Sequence, residues 1–270
     1  MWTPRLIASD IDGTLLDTQE RVSPATSAAI AKVLAAEVPF VLVTGRPPRW
    51  VPEIARAAGL SGYAVCANGA VLYEVGTDQV LASHLLDPTL LGDLVHALSA
   101  ALPDCAFAAE RIGDSANALD GGEFVTERSY RHPWPGDRSQ PTPRAEVTGH
   151  PAVKLLVRHQ GVNSDELASA ATALLGDSVE VTFSSSSGMI ELSAAGITKG
   201  SGLAEIADLL EVAAQDVVAF GDMPNDVPML RWAGLGVAMG NAHPATRAAA
   251  DEVTVPNTED GVAVVLRRWF

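Results

Sequence analysis

Lysine is rare in this sequence, in which only Lys32, Lys154 and Lys199 carry an ammonium group among 270 residues. Acidic residues outnumber basic ones, and the formal net charge is −15 at pH 7. Such a chain lacks the excess of positive charge that neutralises a nucleic-acid backbone or an anionic membrane surface. We therefore expect neither as a partner. Any phosphorylated ligand must be bound by a local cluster of positive and polar groups.

The sequence also has few cysteines and no long apolar segment. Its cysteines, Cys66 and Cys105, lack the spacing of metal ligands. No run approaches the roughly 20 apolar residues of a membrane helix, and the first acidic residue, Asp10, comes too early for a signal peptide. We predict a cytoplasmic protein with reduced thiols, either a monomer or a homodimer.

Short apolar runs that lead into Gly, Asp, Thr or Asn predict buried strands at 6–9, 40–43, 63–67, 217–220 and 235–239. Helical patterns at 24–37, 48–58 and 201–210 lie between them. The alternation predicts an α/β fold with a doubly wound parallel sheet, a Rossmann-like core. Ligands of such folds bind beyond the carboxyl ends of the strands, where these runs place polar residues.

The pattern changes between residues 83 and 193. Helical patterns at 88–102 and 164–175 accompany strand-like stretches at 106–111, 123–130, 153–159, 179–183 and 189–192, with a proline-rich loop at 133–143. Strands of this kind, several of them adjacent in sequence, indicate antiparallel pairing. We predict an inserted α+β cap domain, 83–193, within a core domain formed by 1–82 and 194–270.

Asp10 and Asp12 follow the first predicted strand, directly before Gly13. Residues two apart on an extended chain point the same way, so both carboxylates can project into one site. Two carboxylates there repel each other unless a cation lies between them. A polar turn without any function is an equally good interpretation of these residues taken alone.

A second acidic segment, GDMPND at 221–226, follows another predicted strand at the same edge of the sheet. Oxygen ligands with no interleaved His or Cys suit Mg²⁺ better than zinc. Together the two acidic segments therefore predict a magnesium site. A solvated acidic turn is the alternative interpretation of this segment.

Two further positions can bind phosphate. Thr44, Gly45 and Arg46 end the predicted strand at 40–43, where a hydroxyl and exposed amide groups can contact phosphate oxygens. Lys199 lies at the predicted start of a helix, where the helix dipole disfavours a cation. A functional role would explain that position, and an ordinary surface lysine is the alternative.

Four segments, DIDGTLLD, VTGR, TKG and GDMPND, have the order and the local context of the four motifs of the haloacid dehalogenase-like hydrolases, and the sequence resembles that family. The segments NGA at 68–70 and MGNA at 239–242 further resemble the Cof-type branch, whose large α/β cap is inserted between the second and third motifs. The resemblance spans nearly the whole chain.

This resemblance implies a Mg²⁺-dependent phosphatase of a small phosphorylated metabolite, with a sugar phosphate as the leading candidate. Asp10 would be the nucleophile that forms an aspartyl-phosphate, and Asp12 the general acid and base. The resemblance further implies that Mg²⁺ would be bound by Asp10, the main-chain carbonyl of Asp12 and Asp222. The residues implied to bind the phosphate and the substrate are Thr44, Gly45, Arg46, Lys199 and Asn225. Asp226 and Asn68 would support this site.

Other functions remain open at this point. A phosphomutase uses a similar constellation but returns the phosphoryl group to its substrate. A non-catalytic metabolite-binding protein would keep the fold and lose at least one catalytic group, and here all of them are present. A P-loop kinase or NAD-dependent dehydrogenase is disfavoured, because neither glycine-rich motif follows the first strand.

The insertion contains one cationic and aromatic stretch, formed by Arg128, Arg131, His132 and Trp134. Such a stretch can contact a substrate. Local packing is the more common role of single aromatic and histidine side chains in a proline-rich loop, and we predict that role here.

Overall fold

The computed structural model describes residues 2–119, 122–131 and 141–270. The chain divides into two compact units, one formed by the segments up to Ala82 and from Thr198 to Phe270, the other by Ser83–Ile197. We propose these units as the core and cap domains. The second boundary lies beyond the predicted residue 193, because a strand continues past that point.

The strands and helices alternate along much of the chain. The strands are β1 (Leu6–Ser9), β2 (Phe40–Val43), β3 (Tyr63–Cys66), β4 (Val71–Glu74), β5 (Gln79–Ser83), β6 (Ala106–Glu110), β7 (Phe124–Glu127), β8 (Pro141–Thr142), β9 (Lys154–Arg158), β10 (Val179–Thr182), β11 (Met189–Ala194), β12 (Val217–Gly221), β13 (Leu235–Ala238) and β14 (Glu252–Val253). The helices are α1 (Pro24–Ala35), α2 (Val51–Ala58), α3 (Pro88–Ala101), α4 (Arg144–Thr148), α5 (Ser164–Leu175), α6 (Lys199–Leu209), α7 (Val227–Trp232), α8 (Pro244–Ala249) and α9 (Gly261–Leu266).

The core unit is built on an eight-stranded sheet in the order β14-β13-β12-β1-β2-β3-β4-β5. From β14 to β3 the neighbouring strands are parallel, as the sequence predicts. Every residue of β1, β2 and β12 is buried, which explains why these strands are continuous apolar runs. The central position of β1 places the segment that follows it in the middle of one sheet edge.

The core sheet also has an antiparallel extension that the sequence pattern did not predict. β3 and β4 pair antiparallel because a short turn, Ala67–Gly69, reverses the chain directly into β4. No helix separates the two strands, so the alternation of strand and helix that identified the parallel strands is absent here. β5 adds the edge strand, and its exposure alternates along the chain.

A cluster of buried side chains fills one side of the core sheet. Leu6 of β1 and Val41 of β2 pack with Leu203 and Ile206 of α6 and with Met229 of α7. The apolar residues of α6 recur at helical spacing, so one face of this helix is buried against the sheet. This packing fixes the first residue of α6, Lys199, relative to the sheet.

The cap unit contains a six-stranded sheet in the order β10-β11-β9-β6-β7-β8. Its pairs are antiparallel except for β7 with β8, and the predicted hairpin of β10 and β11 is confirmed. Lys154 Nζ donates to Glu191 Oε1 at 2.5 Å between neighbouring strands, and both side chains are 4% exposed. The α+β character predicted for this segment is therefore confirmed.

Some of the predictions for the insertion fall on residues outside the ranges that the structure describes. His132, Trp134 and most of the predicted proline-rich loop lie outside the described residues. The nearby Arg131 donates from Nη1 to the carbonyl oxygens of Arg128 and Tyr130 at 2.8 and 2.9 Å. These bonds are local to the chain around Arg131, and the packing role of His132 and Trp134 stays a prediction. Among the helices of the described ranges, none combines the length and apolar character needed to cross a membrane.

Candidate active site

The carboxyl ends of three adjacent strands supply the predicted site residues. β1 pairs in parallel with both β12 and β2. Asp10 and Asp12 therefore follow the central strand, Asp222 follows its neighbour on one side, and Thr44 follows its neighbour on the other. The sheet brings together segments that are far apart in the sequence.

Lys199 is the charged centre of the site. Its Nζ donates to Asp10 Oδ1 and to Asp226 Oδ1, each at 2.6 Å, and its side chain is 1% exposed. The interpretation of Lys199 as an ordinary surface lysine is therefore wrong. The negative charges of these two carboxylates offset the unfavourable position of a cation in the first turn of α6. The N-terminus of α6 is capped by Thr198, whose hydroxyl oxygen accepts a hydrogen bond from the backbone N–H of Ser201.

Asp226 supports the loop that follows β12. While its Oδ1 accepts from Lys199, its Oδ2 accepts from the backbone N–H groups of Asp222 and Met223, at 2.8 and 2.9 Å. The Asp226 side chain can lie this close to the backbone only because residue 221 is a glycine. A Cβ at Gly221 would lie 2.4 Å from the Cβ of Asp226. Asp226 thus connects the lysine to the backbone that carries Asp222.

The carboxylate of Asp222 is oriented by two donors from other segments. Thr14 Oγ1 donates to Asp222 Oδ1 at 3.3 Å, and Asn241 Nδ2 donates to Asp222 Oδ2 at 3.5 Å and to Gly13 O at 2.9 Å. Neither Thr14 nor Asn241 was predicted as a site residue. Each lies inside a segment that carried the family resemblance, which is the signal that identifies them.

The side chain of Asp12 has a different partner from that of Asp10. Arg46 Nε donates to Asp12 Oδ2 at 2.8 Å, and Arg46 Nη2 to Asp12 Oδ1 at 2.5 Å. This two-point contact holds both side chains, although the Asp12 side chain is 54% exposed. The two acids of the first motif therefore occupy different electrostatic environments.

The remaining predicted residues lie in the loops around this edge. Thr44 is fully buried, and its Oγ1 accepts from the backbone N–H of Arg46 at 3.0 Å. Gly45 lies between these two residues. Asn225 Nδ2 donates to Asn68 Oδ1 at 3.0 Å, so the fourth motif is joined to the turn after β3.

Burial and repulsion between carboxylates raise the pKa values of the acids. Burial raises the pKa of Asp10 to about 7; Lys199 opposes the rise, and the charges of Asp226 and Asp12 add to it. Burial, with the charges of Asp10 and Asp226, raises the pKa of Asp222 to about 9. Burial acts to lower the pKa of Lys199, but the two carboxylates it contacts raise it above its ordinary value.

These residues fit a divalent cation. Oxygens of Asp10, Asp222 and Asp226 lie within 4.8 Å of one another, and all three residues are buried. Asp226 accepts three short hydrogen bonds, at 2.6, 2.8 and 2.9 Å, from the lysine and the backbone. The contacts of Asp222 are longer, at 3.3 and 3.5 Å, and Asp10 receives the lysine on Oδ1. Asp10 and Asp222 are therefore the carboxylates with more room for a metal. A hard cation would offset the burial of these charges and the repulsion between them, which together raise their pKa values. A donor set of oxygens alone suits Mg²⁺.

Residues 7–266 match the model of the haloacid dehalogenase-like hydrolases. The chain belongs to this family. It is 30% identical to the 5-amino-6-(5-phospho-D-ribitylamino)uracil phosphatase of Bacillus subtilis, over 98% of this chain and 95% of the relative. It is 28% identical to the pyridoxal phosphate phosphatase of Escherichia coli, over 97% of each chain.

The fold of this haloacid dehalogenase-like protein is also found among solved structures. A phosphatase of the haloalkanoate enzyme superfamily from Bacteroides thetaiotaomicron has a TM-score of 0.80 at 23% identity, over 99% of this chain and 95% of that one. The predicted α/β fold and the predicted Cof-type membership are confirmed. The predicted enzyme class, a hydrolase of phosphate monoesters, is confirmed by the family and by its phosphatase relatives.

Proposed function

We propose that this haloacid dehalogenase-like hydrolase is a Mg²⁺-dependent phosphatase that acts on a small phosphorylated metabolite through an aspartyl-phosphate on Asp10. The observation that carries the proposal is the buried contact of Asp10 with Lys199, beside Asp222 at the carboxyl ends of adjacent strands. A carboxylate held by a buried lysine is oriented for attack, and the lysine can also offset the charge of an incoming phosphate.

In the first step, a carboxylate oxygen of Asp10 forms a bond to phosphorus, and the bond between phosphorus and the ester oxygen breaks. The leaving alkoxide takes a proton from the carboxyl group of Asp12 and departs as an alcohol. Thr44, Gly45, Arg46, Lys199 and Asn225 are the residues proposed to hold the phosphoryl oxygens and the substrate.

In the second step, Asp12 takes a proton from a water molecule that attacks the phosphorus of the aspartyl-phosphate. The acyl phosphate bond breaks, which releases inorganic phosphate and restores the carboxylate of Asp10. Asp10, Asp222 and the main-chain carbonyl of Asp12 would hold Mg²⁺, with Asp226 and Asn68 as supporting residues. A bound Mg²⁺ supplies charge that offsets the repulsion between Asp10 and the phosphate and orients both.

A sugar phosphate is the leading candidate for the substrate. The relative from Bacillus subtilis is named for a compound with a phosphorylated ribityl chain, and the one from Escherichia coli for pyridoxal phosphate. Both names describe a small, polar phosphorylated metabolite. The net charge of −15 agrees with a substrate that is held by local contacts and not by the overall field of the protein.

The test is phosphate release from a panel of sugar phosphates, nucleotides and pyridoxal phosphate in the presence of Mg²⁺. Wild type is compared with Asp10→Asn, which keeps the shape of the side chain and removes its nucleophilic charge. We expect the variant to lose at least about 1,000-fold in kcat, in the range found when a nucleophile is removed. EDTA should abolish release by wild type, and added Mg²⁺ should restore it.

Asp17→Asn is the matched control, because Asp17 lies seven positions further along the same segment and its contacts among the described residues are with the backbone and side chain of its own turn. It should release phosphate at the wild-type rate. Equal release by wild type and Asp10→Asn would contradict the proposal. Isomerisation of a sugar phosphate without release of inorganic phosphate would favour the phosphomutase alternative.

A further inference from the structure

The turn between β3 and β4 has an unusual backbone. Ala67, Asn68 and Gly69 have φ angles of +50°, +59° and +105°. Ala67 and Asn68 carry a Cβ, so this region of φ costs them free energy, and both are buried. Strain of this kind persists only where surrounding contacts fix the backbone, and it is concentrated at functional sites.

One side of this turn is bonded to the loop that follows β2. Asn68 N donates to Thr44 O at 3.0 Å, and Ala67 N donates to Arg46 O at 3.0 Å. Two successive strained residues thus direct their N–H groups at the segment that contains the predicted phosphate-binding hydroxyl. The position of Thr44 depends on this turn as well as on its own strand.

The other side of the turn packs against the start of α6. A Cβ at Gly69 would lie 2.0 Å from Thr198 O and 3.3 Å from Lys199 N. A Cβ at Gly202, in the next part of the helix, would lie 2.9 Å from Gly69 Cα. The backbone of the turn therefore touches the helix that carries Lys199, with no room for a side chain between them.

The side chain of Asn68 makes a third connection. Asn225 Nδ2 donates to Asn68 Oδ1 at 3.0 Å, and both residues are buried. Asn225 Oδ1 is also buried and has no hydrogen-bond partner among the described residues. A buried acceptor is costly unless a donor satisfies it. One end of the Asn225 amide is fixed by Asn68, and the other end can accept a hydrogen bond from a ligand.

We propose that Asn68 is a positioning residue that acts through Asn225. It fixes the Asn225 amide so that Oδ1 accepts a hydrogen bond from a hydroxyl group of the bound phosphate ester, since the phosphoryl oxygens are themselves acceptors. The strained turn allows the Asn68 side chain to reach Asn225 while its backbone holds Thr44 and packs on the helix of Lys199. This inference rests on the proposed function, because it assigns Asn68 a role in the same phosphate site.

A double-mutant cycle tests this role. Asn68→Gly removes the side chain and tolerates a φ of +59°, and Asn225→Ala removes its partner. With ribose 5-phosphate and Mg²⁺, each single variant should lower kcat/KM by about 10- to 100-fold, the usual effect of removing a group that orients a ligand-binding residue. The double variant should lose no more than Asn225→Ala alone, since the two residues act as one unit.

Two further variants separate positioning from a general structural effect. Asn68→Asp keeps an oxygen that can accept from Asn225 Nδ2, so it should recover most of the kcat/KM lost in Asn68→Gly. Asp104→Gly is the control for removing a side chain at a left-handed residue, because Asp104 has a φ of +70° and lies in the cap unit. It should leave kcat/KM unchanged.

The same cycle measured on the Kd of ribose 5-phosphate in EDTA, where no turnover occurs, tests the positioning independently of catalysis. Equal loss in Asn225→Ala and in the double variant supports the inference. Losses that multiply in the double variant, or a wild-type Kd and kcat/KM in Asn68→Gly, would overturn it. Failure of the proposed function gives a different result, in which Asp10→Asn releases phosphate as fast as wild type.

Discussion

Arg46 binds the carboxylate of Asp12 through both Nε and Nη2. In the proposed mechanism Asp12 moves a proton and Arg46 contacts the substrate. The structure shows that the two side chains also hold each other, with Glu20 4.0 Å from Arg46 Nη2. A guanidinium fork fixes a carboxylate in one orientation, whereas a lysine would offer a single mobile charge.

This geometry predicts the effect of Arg46→Lys. We expect about a tenfold lower kcat/KM for ribose 5-phosphate, because a poorly oriented general acid loses part of the usual 100- to 10,000-fold contribution of proton transfer. The loss should be smaller for p-nitrophenyl phosphate, since p-nitrophenolate leaves without being protonated. Steady-state kinetics on the two substrates measure the difference.

Glu20→Gln is the control for this prediction, because it removes only the more distant charge near Arg46. It should leave both kinetic constants near those of wild type. The melting temperature of Arg46→Lys should change little, since the Asp12 side chain is more than half exposed and pairs of this kind contribute about 0–1 kcal/mol to stability. Equal losses on the two substrates would contradict a role through Asp12.

At the scale of single elements, the loop after β1 shows how close packing sets the site. Gly13 has a φ of +76°, and a Cβ there would lie 2.3 Å from Asp222 Oδ2. The glycine is therefore required twice, once for its backbone conformation and once because the second acidic loop approaches it. The sequence indicates the turn, but the approach of residue 222 depends on the pairing of β1 with β12.

Two glycine substitutions separate these requirements. Gly59, which ends α2, has a φ of +73°, and a Cβ there would have no other atom within 4 Å, so Gly59→Ala tests the cost of the backbone alone. We expect Gly13→Ala to lower the free energy of unfolding by about 1–3 kcal/mol more than Gly59→Ala, the usual cost of overpacking. Urea unfolding measures the difference.

The same two variants also differ in their expected activity. Gly13→Ala must displace the carboxylate of Asp222, so phosphate release should need a higher Mg²⁺ concentration than in wild type. Gly59→Ala should keep the wild-type dependence on Mg²⁺. Equal stability and equal Mg²⁺ dependence of the two variants would show that the loop relaxes without moving Asp222.

At the scale of the whole molecule, the two units differ in how the chain builds them. Ser83–Ile197 is one continuous segment with its own six-stranded sheet, whereas the core sheet needs strands from both ends of the chain. In the full sheet, β1 lies between β2 and β12. In a segment of residues 1–82 alone, β1 would lack β12 and would have an unpaired edge.

This difference predicts the behaviour of excised segments. A polypeptide of residues 83–197 should fold by itself and unfold cooperatively in urea, because a domain has its own apolar core. The matched segment of residues 1–82 should not, since it lacks β12, β13 and β14. Circular dichroism across a urea titration checks both. A featureless spectrum for 83–197 would show that the cap needs the core in order to fold.

The sequence alone determined the main strands and the segments at their ends. Strands buried on both faces need continuous apolar runs, and a parallel sheet needs a helix between strands, so both leave a local signal. β1 and β2 accordingly have the predicted bounds. β4 was missed because it follows β3 through a turn of three residues without a helix.

Only the tertiary structure decided which groups of the site meet. Asp10 and Lys199 are 189 positions apart, and Thr14 and Asp222 are 208 positions apart. Their contacts depend on strand order and on the packing of α6 against the sheet, which no local pattern encodes. The same holds for the fork of Arg46 on Asp12 and for the strained turn at Asn68. The sequence predicts which residues belong to the site, because only a few residue types can perform this chemistry. It does not predict which of these side chains contact each other, because those contacts depend on long-range packing.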